Sequence, residues 1–579
     1  MSRRTFGLIV LASAVLAPVR AAEPTREELL VAESLPAARG GRLVIALRSE
    51  PKTLNPVIAT DSASRDVIGL LKGTLIRINR ETQKTEPALA RSWAVSADGR
   101  HYTLALRRGV RFSDGHPFDA DDVVFSWQVY LDEKNHSPQR DLLLVGGKPI
   151  AVRKLDPYTV AFDLEEPYAA GERLFDGLAI LPRHVLQKAV QDGKLAEAWS
   201  LVTAPAELVG LGPFRLKSYA PGERVVLERN PNYWKADRKG TRLPYVDELT
   251  FLLVPSEDAQ VIRFQSGDTD LASRLSAENF QVLAAGEKAG RYRLQDLGPG
   301  LEYSFLFFNL GDLTGKGLDA GARRQTWFKD VAFRRAVSAA LDREAMARLA
   351  FGGRAAPLGS HVTPGNKLWA KASLAAKPRS LDRARQLLKD AGYSWKSDGA
   401  LADASGQAVD FTLMTNASNA ARVKMASIAE DDLRELGIKV RVVTLETRAV
   451  LDQVLQTRDY DACILGFGSG DADPNVEMNI WLSSGPSHLW NPAQAAPSTP
   501  WEAAIDRLMR RQLITVRYEE RRRLYDEVQQ IVADNLPMIP LLAPSILVGA
   551  KQGLLNFRPA ILDHYVLWNA EELGWSAKP

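Results

Sequence analysis

Residues 409–468 read "VDFTLMTNASNAARVKMASIAEDDLRELGIKVRVVTLETRAVLDQVLQTRDYDACILGFG". Apolar runs of strand length at 409–415, 438–445 and 460–468 alternate with helical periodicity at 421–437, which Gly437 stops, and at 447–459. The order βαβαβ predicts a parallel sheet with helices packed on it. In such sheets ligands bind beyond the carboxyl ends of the strands. Thr415 and Asn416, Glu446, and the loop from Gly466 to Asp473 occupy those ends. Cys463, the single cysteine, falls inside the apolar run "YDACILGF" and reads as a buried packing residue rather than a nucleophile.

Outward from this unit, "LEYSFLFFNL" (301–310) reads as a continuous apolar strand. "DVAFRRAVSAALDREAMARLAF" (330–351) reads as one amphipathic helix, and "SLDRARQLLKDAG" (380–392) as a helix capped by Ser380. Two late helices, 501–514 and 518–535, precede an extended segment at 537–549. Upstream, "RLVIALR" (42–48) reads as a strand, and "PFRLKSY" and "RVVLERN" as a hairpin closed by Pro221-Gly222. Residues 256–272 read as a helix with Ser256 at its start and Gly267 at its end.

The stretch "SDGHPFDADD" (113–122) gathers four aspartates and His116, a composition that suggests a cation site. Its spacing does not. Counting from Asp114, an EF-hand loop needs Gly at the sixth position and Glu at the twelfth, where Asp119 and Phe125 stand. Asp119 instead precedes a helix over 120–131, whose first turn carries Asp121 and Asp122, and Gly115 suits a turn. The cluster is therefore expected to be structural.

The chain has 579 residues and a net charge of +4, and residues 1–21 hold three arginines and no acid, so removing them leaves +1. A near-neutral protein has no global bias towards nucleic acid or anionic membranes. Residues 1–21 have a basic start, a run of apolar and small residues from Phe6 to Val19, and a plausible cut after Ala21: an export signal, of Sec or twin-arginine type. With no cysteine after it for a lipoprotein anchor, periplasmic localisation is expected. The seven histidines include no two within five residues, so no HExxH is present. "GFGSGD" lacks the second glycine of a nucleophile elbow, because Phe467 stands there. No catalytic residue, metal site or cofactor is expected. Trp481 and Trp490 follow the third strand and suit either core packing or an aromatic wall for a ligand.

Six segments in order carry a resemblance. They are 42–56, 86–107, "LALRRGVRFSDGHPFDADDVVFSW" (104–127), "GLGPFRLKSYAPGERVVLERNPNYW" (210–234), the helices at 328–344 and 380–393, and "DYDACILGFGSGDADPN" (459–475). Together they resemble the family 5 bacterial extracellular solute-binding proteins, the peptide- and nickel-type receptors of ABC importers. The resemblance implies an α/β, two-lobed periplasmic-binding-protein fold of type II, with an extra domain on the first lobe and hinge closure around a central cleft. It places lobe I at 40–71, 205–303 and 542–579, the extra domain at 72–204 and lobe II at 304–541, with crossings near 300–306 and 538–546. It implies a monomeric, non-enzymatic receptor that captures peptides and delivers them to a membrane permease and its ATPase. A sugar, opine or metal chelate is the alternative ligand, and an exported hydrolase the alternative class.

Candidate ligand residues are Thr60 and Asp61 on one side of the cleft, Tyr303 and Phe305 near a hinge, and Asn416, Phe467, Gly468, Ser469, Asp471, Asp473 and Trp481 on the other. Gly466, Gly468 and Gly470 are expected to let a ligand approach the main chain. The acid that receives a peptide's amino group in such receptors aligns with Gly470, which leaves Asp471 or Asp473 to replace it, Asp471 being the candidate for a cationic ligand group.

Overall fold

The computed structural model describes residues 27–313, 319–492 and 494–576; the export signal expected over 1–21 lies outside the described residues. One 12-stranded sheet runs through the molecule. Its centre is the 14-residue strand Met538–Lys551, whose two halves serve different neighbours. Met538 to Leu542 pair antiparallel with Tyr303–Phe308, whereas Ser545 to Lys551 pair with Tyr292–Pro299. The register of each pairing slips where the halves meet, and Pro540 and Pro544 offer no N–H there.

The same strand feeds separate cores. Ile546, Val548 and Ala550 join a core built around Leu43, Ile45, Leu249 and Phe251. Ile539, Leu541 and Leu542 join a second core with Leu306, Phe308, Leu413 and Ile464. Tyr303–Phe308 is buried on both faces, with Phe305 and Phe307 pointing into a third cluster beneath the late helices. That explains its unbroken apolar sequence. The two passages between the halves of the sheet are therefore 299–303 and the middle of Met538–Lys551.

The expected βαβαβ unit forms. Asp410–Asn416 pairs parallel with Lys439–Leu445 and with Ala462–Phe467. Ala420–Arg434 and Thr447–Asp452 are the crossing helices, the second continuing as a π-turn over Gln453–Thr457. The single helix expected over 330–351 is two, Val331–Ala340 and Arg343–Phe351. The break is a cap: Asp342 accepts from Ala345 N–H at 2.8 Å, and its own N–H donates to Asp432. Local capping wins over a continuous apolar stripe because it satisfies the orphan donors of a new helix start.

In the 72–204 segment, Ala90–Val95, His101–Leu106, Thr159–Asp163 and Ala151–Asp156 form a four-stranded antiparallel sheet. The aspartate cluster is structural. Asp119 and Asp122 complete a reciprocal capping box on Ala120–Leu131, and Gly115 has φ 92°. Asp121 pairs with Lys154 at 2.8 Å and Asp114 with His184 at 2.7 Å. No helix among the described residues is long and apolar enough to cross a membrane.

Candidate ligand site

The strand Ala462–Phe467 ends in a loop that faces the other half of the molecule. Phe467 packs on Phe305, with ring centroids 4.9 Å apart, and Tyr303 flanks both at 5.7 and 6.3 Å. Tyr303 is buried and its hydroxyl has no hydrogen-bond partner among the described residues. Three of the four expected aromatic residues thus pack on one another.

The three glycines differ in use. A methyl group at Gly466 would collide with Arg422 Nη2 and lie 2.8 Å from the Tyr303 carbonyl. One at Gly470 would meet Asp563 Oδ2 at 2.6 Å. Beside Gly468 only Glu302 approaches, at 3.9 Å. The structure thus corrects the expectation of open backbone at all three: side chains fill two of the gaps. Gly468 and Gly470 are exposed, and among the described residues no hydrogen bond occupies the main-chain groups of Gly468, Ser469 or Gly470.

Asp471, expected to meet a cationic ligand group, is already engaged. Arg173, from the helix Gly171–Gly177, donates its Nε to Oδ2 at 2.7 Å and its Nη2 to Oδ1. Asp471 Oδ1 also accepts from Ala472 N–H at 2.6 Å. Asp473 is engaged too: it caps the short turn Pro474–Glu477 and takes both terminal nitrogens of Arg521, at 2.8 and 2.6 Å. Burial disfavours the Asp473 charge, but Arg521 outweighs it and holds the carboxyl below its ordinary range. Ser469 Oγ closes the loop on itself, accepting from Asp471 N–H at 3.2 Å.

Trp481 is core rather than cleft wall. It is 1% exposed, its ring lies 4.2 Å from that of His361, and its Nε1 donates to Glu477. Asn416 ends its strand and accepts from Arg422 Nη1 at 3.2 Å. Asp61 caps Ser62–Leu71, accepting from Ser64 N–H at 2.8 Å, and the Thr60 carbonyl accepts from Arg65. Those bonds tie both residues to their own helix.

Sequence reasoning missed Arg173, Asp563 and Glu302, which reach the loop from segments far away along the chain. It also passed over Arg422, although a cation three residues into the helix that follows a parallel strand sits where ligands are met.

Two halves of one sheet joined by two extended passages, with a loop of free main chain between them, are the architecture of an α/β binding protein. The family model "Bacterial extracellular solute-binding proteins, family 5 Middle" matches residues 84–488, and the chain belongs to that family of ABC-importer substrate-binding proteins. A probable ABC transporter-binding protein of Deinococcus radiodurans is 27% identical over 516 residues, 86% of this chain and 85% of that one. The oligopeptide-binding protein AppA of Bacillus subtilis is 25% identical over 536 residues, 90% and 89% of the two chains. The structure of AppA in complex with a nonapeptide superposes with a TM-score of 0.65, covering 94% of this chain and 100% of that one. NikA of Brucella suis in complex with Fe(III)-EDTA superposes with a TM-score of 0.74 at 23% identity, covering 93% and 100%. The fold is the two-lobed periplasmic-binding-protein type.

Proposed function

We propose that this protein is the periplasmic receptor of an ABC importer for peptides, closing its lobes on the ligand and presenting it to a membrane permease. The observation that carries the reading is the main chain of Gly468, Ser469 and Gly470, exposed at both glycines and free of hydrogen bonds among the described residues, at the carboxyl end of a parallel strand. An extended peptide can pair with those N–H and C=O groups, and main-chain pairing binds with little regard to side chains. The relative AppA of Bacillus subtilis, an oligopeptide-binding protein, supports the same ligand class.

The departure at Gly470 fits this reading once Asp563 is included. Its carboxylate lies where a side chain at 470 would project, and it forms no ion pair among the described residues. It is placed to receive a peptide's amino group from the opposite side of the loop.

Native mass spectrometry of the protein purified from periplasm tests the proposal. Co-purified peptides are the expected result; a bound sugar, opine or metal chelate would replace the peptide reading with the family's other ligand classes.

A further inference from the structure

We infer that Arg422 is the anchor for a carboxylate group on the ligand. This deepens the receptor reading and rests on it. Arg422 lies in the first turn of Ala420–Arg434, directly after the strand that ends at Asn416. Its guanidinium folds over Gly466 on the neighbouring parallel strand, in space that only glycine leaves open. Two strand ends and one helix start therefore converge on a single cation, beside the free main chain of 468–470.

That cation is under-satisfied. Nη1 donates to Asn416 Oδ1 at 3.2 Å, Nε is buried without a partner, and no carboxylate pairs with it among the described residues. Three fully buried arginines of this chain are furnished. Arg521 has both oxygens of Asp473 as well as Gln512 and Asn475. Arg343 has the Pro540 and Ser338 carbonyls and the Ser338 hydroxyl. Arg334 has the Phe328 and Asn535 carbonyls. Burial pulls the Arg422 pKa below its ordinary value, and Glu302, the acid that opposes this from a distance, is held by Arg274 at 2.9 Å.

A half-buried guanidinium whose Nε is shut away from water without a partner is costly. A carboxylate supplies two coplanar acceptors matched to its fork. With Asp563 at Gly470, the loop offers a cation at one end and an acid at the other. That polarity suits an extended zwitterion, and in the peptide reading the anion is the free carboxyl terminus.

The test uses the purified full-length mature chain and matched pools of random tri- to pentapeptides, as free acids and as carboxyl-terminal amides. Opine-type carboxylates and neutral oligosaccharides form two further pools. Thermal shift and titration calorimetry report binding. Free acids are expected to bind roughly 10- to 100-fold more tightly than amides, and Arg422→Gln is expected to erase that ratio. Asn416→Asp guards against misfolding of the first variant. It sets a carboxylate against the guanidinium, so it should raise the melting temperature without ligand and abolish the free-acid preference.

Equal binding of acids and amides by the wild type overturns the role of Arg422 and leaves the peptide reading intact. Binding of opine-type carboxylates alone, lost in Arg422→Gln, removes the peptide reading and keeps Arg422. Binding of oligosaccharides alone, or of no carboxylate at all, overturns both. A free-acid preference that survives in Asn416→Asp also overturns the assignment.

Discussion

Arg173 holds Asp471 in a two-point ion pair across 298 residues of sequence, tying the 72–204 segment to the loop after Ala462–Phe467. The pair does not stand alone. Ala169 N–H donates to the Leu513 carbonyl at 2.8 Å, and Gln83 Nε2 to the Gly365 carbonyl at 2.8 Å. These bonds join the 72–204 segment to the helix Pro500–Ile514 and to Gly365, so several contacts clasp that segment against the half of the molecule that carries the loop.

Breaking the clasp should favour the open form. Asp471→Asn keeps the side chain's shape, removes the charge and replaces one of the two acceptor oxygens by an NH2 donor, leaving Arg173 part-buried with neutral acceptors only, the Asn amide oxygen and the Gln83 carbonyl. The expected loss is about 1.5–3 kcal/mol of apparent binding free energy, the range for hydrogen bonds to charged groups. Small-angle scattering should show a larger radius of gyration without ligand. Arg173→Gln with Asp471→Asn should cost less than the sum of the two. Strict additivity in calorimetry would show that the pair does not act as a unit.

Asp563→Asn should weaken binding of peptides with a free amino terminus by roughly 1.5–3 kcal/mol. It should leave amino-terminally acetylated peptides unaffected. Paired calorimetric titrations decide this, and equal losses for both peptide types would remove Asp563 from amine recognition.

Asp119→Ala removes one half of the capping box on Ala120–Leu131. A stability loss of about 0.5–2 kcal/mol is expected in denaturant titration, with peptide affinity unchanged. A collapse in affinity at constant stability would contradict the structural role.

Glu502 gives a pH prediction. Burial disfavours its charge, but His488, Gln494, Ser498 and Thr499 donate to it and hold its pKa down at about 2. The folded pKa lies below the unfolded one, so the unfolded chain binds more protons in between. The stabilisation is complete above the ordinary glutamate range and is lost as pH falls from about 4.5 towards 2. Glu502→Gln should therefore be less stable near neutrality, by up to about 3 kcal/mol, and the deficit should shrink through that window. Parallel curves of wild type and variant against pH would refute this.

Sequence alone determined what is local. The caps Asp119, Ser256 and Ser380, the reversals at Gly115 and Gly267, and the βαβαβ unit were all legible, because caps, turns and amphipathic periods depend on neighbours within a few residues. The resemblance carried the family and the two-lobed fold. Tyr303 and Phe305 were read as lying near a hinge and Phe467 as part of the loop after the third strand; their mutual packing was not legible in the sequence. Tertiary structure alone decided which charges are free. Asp471 and Asp473 look like equivalent anchors in sequence, yet Arg173 and Arg521 claim both. Asp563 looks like a turn residue, yet it fills the gap at Gly470. Arg422 stands in the first turn of a helix, yet its guanidinium lies half-buried over Gly466 without a counter-charge among the described residues. Electrostatic pairing depends on distance in space and on burial, and neither is written in the spacing of residues along a strand or a helix.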